Sequence, residues 1–250
     1  MQRRAVVTGM LAASLPGAVR AAGLSLDDII ARHTKARGGR AALDAIQAEY
    51  VDQDITENGS TVNAHYLCDR QPAFRIDIYD GGKHTFCEGL DAKGPWIWPQ
   101  AQAAARDGVA DGAKSAIQGI QFNLYGLHAF PGLGNRLSLE TRQTITGTDY
   151  YVIGVNMRGS YQTYLYLDPK TFLVMRRRDD RALHPDLNAA RKYLETQYFD
   201  YRPVSGVMVA HSQHQLDLAS GAVTQTISCR NIAYNPPVPG GQLDRHYRPN

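Results

Sequence analysis

The sequence predicts a mainly β protein of the α+β class, an antiparallel sheet with a few helices packed on it. Three observations carry that prediction. Residues 150–178 hold three runs rich in β-branched and aromatic residues, each too short for a helix and each bounded by turn chemistry. Runs of the same kind fill much of the chain on either side. Helical spacing of apolar residues is concentrated in two places, after Ser25 and after Asp111.

The central runs read as a meander. With turns at 158–160 and 168–171, Tyr151, Ile153, Val155 and Met157 face Tyr161, Thr163, Leu165 and Leu167, which in turn face Phe172 and Val174. Alternation sends Tyr150, Asn156, Gln162, Tyr164, Tyr166, Asp168, Met175 and Arg177 to the other face. A sheet with one apolar face must cover it, and the cover is the functional question.

At the start of the chain, a basic stretch with Arg3 and Arg4, a short apolar stretch and small residues around Arg20 read as a secretory signal peptide over 1–21. Residues 22–250 then form one domain. The Sec route is favoured over the twin-arginine route, which Arg3-Arg4 would also admit. No cysteine stands directly after the expected cleavage site, which argues against an N-terminal lipid anchor, and no later run is long enough to span a membrane. Removing Arg3, Arg4 and Arg20 leaves 24 basic residues against 24 acidic ones. The basic excess therefore belongs to the leader, and a nucleic-acid partner is excluded as a first reading.

The remaining elements follow in order. Ser25 caps a first helix with Asp28 three residues on, and Gly38-Gly39 stops it. A second short helix covers 40–47. Strands are expected over 50–59, 60–69, 73–79 and 83–89, with Asn58-Gly59 and Asp80-Gly81-Gly82 as hairpin turns. Trp96 and Trp98 share one side of a short strand and read as core. Asp111 caps a helix carrying Ala113, Ala116, Ile117, Ile120 and Leu124, and this helix is a candidate lid. Arg176, Arg177 and Arg178 alternate faces and read as a solvated strand end. Pro185 and Asp186 sit in a loop, and three further strands occupy roughly 192–202, 206–218 and 222–232.

The chemistry is mostly negative. No GxSxG, HExxH, CxxC or phosphate-binding GxxxxGK(S/T) occurs, so no catalytic residue, metal or cofactor is expected. His211 and His214 are an i, i+3 pair on a strand and point to opposite faces. Cys68 and Cys87 are separated by a whole strand, too far for a disulfide. Asp200 and Arg202 share a face and suit an ion pair.

On the segments ARHTKARGGRAALDAIQ, YLYLDPKTFLVMR and FDYRPVSGVMVAH, and on residues 232–249, the chain resembles the LolA-like group of periplasmic outer-membrane lipoprotein carriers and sorting proteins. The resemblance implies an incomplete antiparallel β-barrel, a half-barrel, with helices covering its concave face and acyl chains held inside. Tyr247 stands where the family has phenylalanine, and 100–135 is longer and richer in glycine than its usual lid. The expected cavity lining is Phe74, Ile76 and Ile78 from the first half, with Ile153, Val155, Leu165, Leu167, Phe172 and Val174 from the second. Ile117, Ile120 and Leu124 would close it. The expected function is that of a non-enzymatic periplasmic carrier of lipid or lipoprotein acyl chains that meets an inner- or outer-membrane partner protein. A closed structural or sensor module is the alternative, and a hydrolase with an unrecognised site comes third.

Overall fold

The computed structural model describes residues 23–248; the expected leader over 1–21 lies outside the described residues. Helix α1 (Leu26–Ala36) opens on a reciprocal capping box. The Asp28 amide donates to Ser25 Oγ at 3.1 Å, and the Ser25 amide donates to the Asp28 carboxylate at 3.1 Å. Gly38 ends it at φ +118°, where a Cβ would lie 2.2 Å from the Gly206 carbonyl oxygen, so only glycine fits. Helix α2 (Arg40–Asp44) is shorter than expected. The amides of Gln47 and Ala48 are drawn off to the Asn235 side chain at 2.6 and 3.2 Å, which starts the first strand.

Thirteen strands follow in one antiparallel sheet. The first half holds β1 (Ala48–Glu57), β2 (Ser60–Asp69), β3 (Ala73–Asp80), β4 (Lys83–Asp91), β5 (Gly94–Pro99) and the short β6 (Arg106–Asp107). Helix α3 (Ala110–Leu124) and a 3-10 helix (Leu127–Leu133) come next. The second half holds β7 (Arg136–Ile145), β8 (Thr148–Asn156), β9 (Gln162–Leu167), β10 (Val174–His184), β11 (Asn188–Val204), β12 (Val207–Asp217) and β13 (Val223–Tyr234). Every strand pairs with its sequence neighbour except β6 and β7, and β1 pairs with β13 to join the halves. The barrel is therefore incomplete, and the two edges it leaves are those between which the helices are inserted.

The β8–β9 register of the meander is the one that alternation dictates. Tyr151 pairs with Leu167, Ile153 with Leu165, and Val155 with Thr163. Their apolar face packs on Ile29 of α1 and on Leu127 and Phe130 of the 3-10 helix. A second core lies under α2 and α3, where Leu43, Ile46, Cys68, Ile120 and Leu124 meet.

Three expectations change. First, the ladder between β9 and β10 slips by one residue between Val174 and Arg176, so Arg177 comes to pair with Leu165 and joins the apolar side instead of the outer face. Second, the arginine run is an ion network inside the sheet, not a solvated end. Arg181 and Arg177 reach Asp179 at 3.0 and 3.3 Å, while Arg176 and Arg178 both engage Glu195. Both carboxylates have side chains only 2% exposed, because β10 continues to His184 and keeps them in the sheet. Third, Asp111 does not cap α3. Val109 holds the cap position, and its amide donates to Asp186 Oδ1 at 2.7 Å, so the cap arrives from the β10–β11 loop.

The cysteines are free. Cys68 pairs with Phe74 and Cys87 with Asp77, three residues apart on β3, so the two thiols lie on opposite faces of the sheet and cannot bridge.

Candidate functional site

A cavity of about 750 Å³ lies between the concave face of the first half and α3. Its wall is built by alternation. Ile55 of β1, Val62 of β2, Ile76 and Ile78 of β3 and Phe86 of β4 all point inward, because neighbouring strands pair in register. The roof is a stripe of small residues on α3, Gly112, Ser115, Ala116 and Gly119, spaced three and four apart. Small side chains keep the helix close while leaving the space beneath it empty. Gly112 meets a second demand, since a Cβ there would lie 2.6 Å from the Asp186 carboxylate that caps the helix.

Helix α3 is anchored by polar contacts at its middle. The Gln118 amide donates to Thr163 Oγ1 at 2.8 Å and to Asp179 Oδ2 at 3.0 Å, in a buried position. Ile120 and Leu124 fix its far end in the second core.

One end of the cavity is polar. It is formed by the β1–β2 hairpin, the start of β13 and the loop after β10. Glu57 Oε2 accepts from His184 Nε2 at 2.8 Å and from Gln225 Nε2 at 3.2 Å. The Glu88 carboxyl borders the same space and has no hydrogen-bond or ion-pair partner among the described residues. Burial pushes its pKa up to about 7; His184 pulls the other way, and the Asp186 charge adds to the rise.

A smaller chamber of about 150 Å³ lies at the centre of the concave face, lined by Arg37, Glu49, Asn123, Arg177, Tyr198 and Tyr234 among others. Arg37 Nε, Glu49 Oε2 and Arg177 Nε have no hydrogen-bond partner among the described residues. Burial raises the Glu49 pKa to about 7 although Arg37 opposes it. This is a polar room, in contrast to the apolar wall of the larger one.

The structure divides the residues expected to line one cavity. Phe74, Ile76 and Ile78 border the large cavity. Leu165 and Val174 reach the rim of the polar chamber. Ile153, Val155 and Leu167 are wholly buried against Ile29, Leu127 and Phe130, and Phe172 stacks on Tyr151 from a turn residue at φ 58°; these four border neither space. Of the expected lid, Ile120 and Leu124 are core and Ile117 packs beside them, while the cavity sees the small residues of the adjoining helix face.

The sequence reading missed the polar end and a buried cluster on the convex face. There Asp77 accepts from Arg75 at 2.6 and 2.7 Å and from His84 at 2.8 Å, with Cys87 beside them. Donor atoms of Asp77, His84 and Cys87 lie within 4.8 Å of one another. The guanidinium already supplies the positive charge, and burial pushes the Cys87 thiol up, so the set suits an ion network and not a cation. Trp96 and Trp98 pack on it as core. The chain end closes over it, with Arg245 on Asp91 at 2.7 Å and Arg248 over the Trp98 ring at 3.6 Å. Alternation would have put Arg75, Asp77 and Cys87 on one face; the closing segment after β13 was not visible from spacing.

No protein-family model matches the sequence, and no curated protein matches it. The fold has clear counterparts among solved structures. A LolA superfamily protein from Nitrosomonas europaea aligns with a TM-score of 0.56 at 12% identity, over 86% of this chain and 96% of that one. A Vibrio parahaemolyticus domain carrying the provisional description of an outer membrane lipoprotein-sorting protein aligns with a TM-score of 0.56 at 10% identity, over 86% and 94%. The chain has the LolA-like fold: an antiparallel sheet left open as an incomplete barrel, with helices on its inner side. Among the described residues no helix is long and apolar enough to cross a membrane.

Proposed function

We propose that this chain is an exported, non-enzymatic periplasmic carrier that holds an acyl chain of a lipid or lipoprotein beneath α3 and delivers it towards the outer membrane. The observation that carries the reading is the cavity itself. Its volume of about 750 Å³ falls within the roughly 300–1,000 Å³ usual for small-molecule sites. Aliphatic and aromatic side chains make its wall, and the helix above it presents nothing large enough to fill it. Burial of an alkyl chain contributes roughly 0.8 kcal/mol per CH₂, so about a dozen methylenes give useful affinity after the cost of association. The one histidine at the cavity, His184, is held by Glu57, as a structural pair and not as the base of a nucleophile. The likeness to LolA-like structures supports the carrier reading at the level of fold.

Native mass spectrometry of the protein, purified from a periplasm without detergent and then solvent-extracted, tests this. A stoichiometric lipid or acylated peptide is expected. A clean apo mass that stays unchanged after incubation with fatty acids, phospholipids and acylated peptides overturns it in favour of a closed module.

A further inference from the structure

The carrier reading leaves open what the cavity selects, and its polar end addresses that. Three carboxyl groups border the cavity, Glu57, Glu88 and Asp186, with His184 and Arg181 as the basic groups. The basic groups are already engaged. His184 sits on Glu57, and Arg181 donates to Asp179 at 3.0 Å and to the Ala182 carbonyl at 3.3 Å. Asp186 is held at the N-terminus of α3 by the Val109 amide. Glu88 alone is unengaged. It pairs across the sheet with Ile76 and Ile97, so its side chain stands on the apolar wall and projects into the space below α3.

A carboxyl in such a place carries a desolvation cost that no hydrogen bond or ion pair relieves and that only the more distant His184 opposes. A ligand bearing a cation would supply the missing partner, and a carboxylate ligand would meet repulsion from Glu88 and from the Asp186 charge behind it. The alkyl wall and the acidic end together have the shape of an amphiphile, chain along β1–β4 and head at Glu88. Resting on the carrier reading, we infer that the cavity selects amphiphiles with a cationic amine head group, with Glu88 as the specificity-determining contact.

Titration calorimetry of the full chain with decylamine, decanol and decanoate tests this, because the three probes share one chain and differ in head group. The expected result is decylamine bound at least about tenfold tighter than decanol, with decanoate weakest. Glu88→Gln should abolish the preference for the amine by weakening decylamine. Decylamine and decanol bound equally by the wild type, decanoate bound best, or an amine preference that survives in Glu88→Gln each overturns the inference while leaving the carrier reading in place. Failure of all three probes to bind overturns both. Lysophosphatidylethanolamine against lysophosphatidylglycerol locates the source. Carry-over of the amine preference to this pair assigns the head to a lipid, and its confinement to decylamine assigns it to a free long-chain amine.

Discussion

Glu88 and His33 show how burial of single groups sets the pH response of this fold. The Glu88 pKa is raised from 4.5 to about 7. The folded chain therefore holds a proton that the unfolded chain releases, and this contribution is complete below pH 4.5 and lost as pH rises through about 7. His33 works in the opposite sense. It is buried on the Phe172 carbonyl at 2.8 Å, and burial first, with Arg37 adding to it, lowers its pKa from 6.5 to about 4. Its contribution is present above pH 6.5 and is lost as pH falls towards about 4. Glu88→Gln mimics the protonated carboxyl at every pH. It should be more stable than wild type at pH 8 by about 1–3 kcal/mol and equal to it at pH 4, as read by urea unfolding at both. A gap of the same size at both pH values would show that the carboxyl is not held in the raised state. The β3–β4 register places Glu88 on the wall face with Ile76; the sequence did not single it out, since its solitude depends on which groups the β10–β11 loop brings near.

At the scale of elements, β10 and α3 depend on each other. The bulge after Val174 turns Arg177, Asp179 and Arg181 inward, and Gln118 of α3 joins them at Asp179. The run reads as solvated in the sequence because a strand end and a strand interior have the same alternation, and only the bulge decides the faces. Asp179→Asn leaves two buried guanidinium groups without their carboxylate. Breaking a buried pair in this way costs about 3–5 kcal/mol, so the urea midpoint should fall sharply, and hydrogen exchange should rise first in α3. A midpoint within error of wild type would mean that the network is hydrated and contributes little. The helix itself was legible from its apolar spacing. Its cavity-facing stripe was not, because glycine, serine and alanine carry no hydrophobic signal and their value lies in what they leave unfilled.

Across the whole molecule, the two halves of the sheet share one architecture and differ in what covers them. The second half is filled by Ile29, Leu127 and Phe130; the first is roofed by small residues and stays hollow. On the convex side the chain end binds the outer surface of the first half, with carbonyls of Asp244 and Tyr247 accepting from Arg75 at 3.2 Å each. Ending the chain after Asn235 should expose the Arg75–Asp77–His84 network and Trp98. A lower melting temperature and red-shifted tryptophan emission are expected, and unchanged emission would place the burial of Trp98 in the sheet alone. The hairpin turns and the β8–β9 register were legible in the sequence alone, because alternation and turn chemistry act over a few residues, whereas β7, the pairing of β1 with β13 and the bulge in β10 were not. Which stretch of apolar face became core and which became cavity was decided only by the tertiary structure. That outcome depends on the size of side chains delivered by helices from distant parts of the chain, and a hydrophobic residue looks the same in sequence whether it meets a phenylalanine or an empty space.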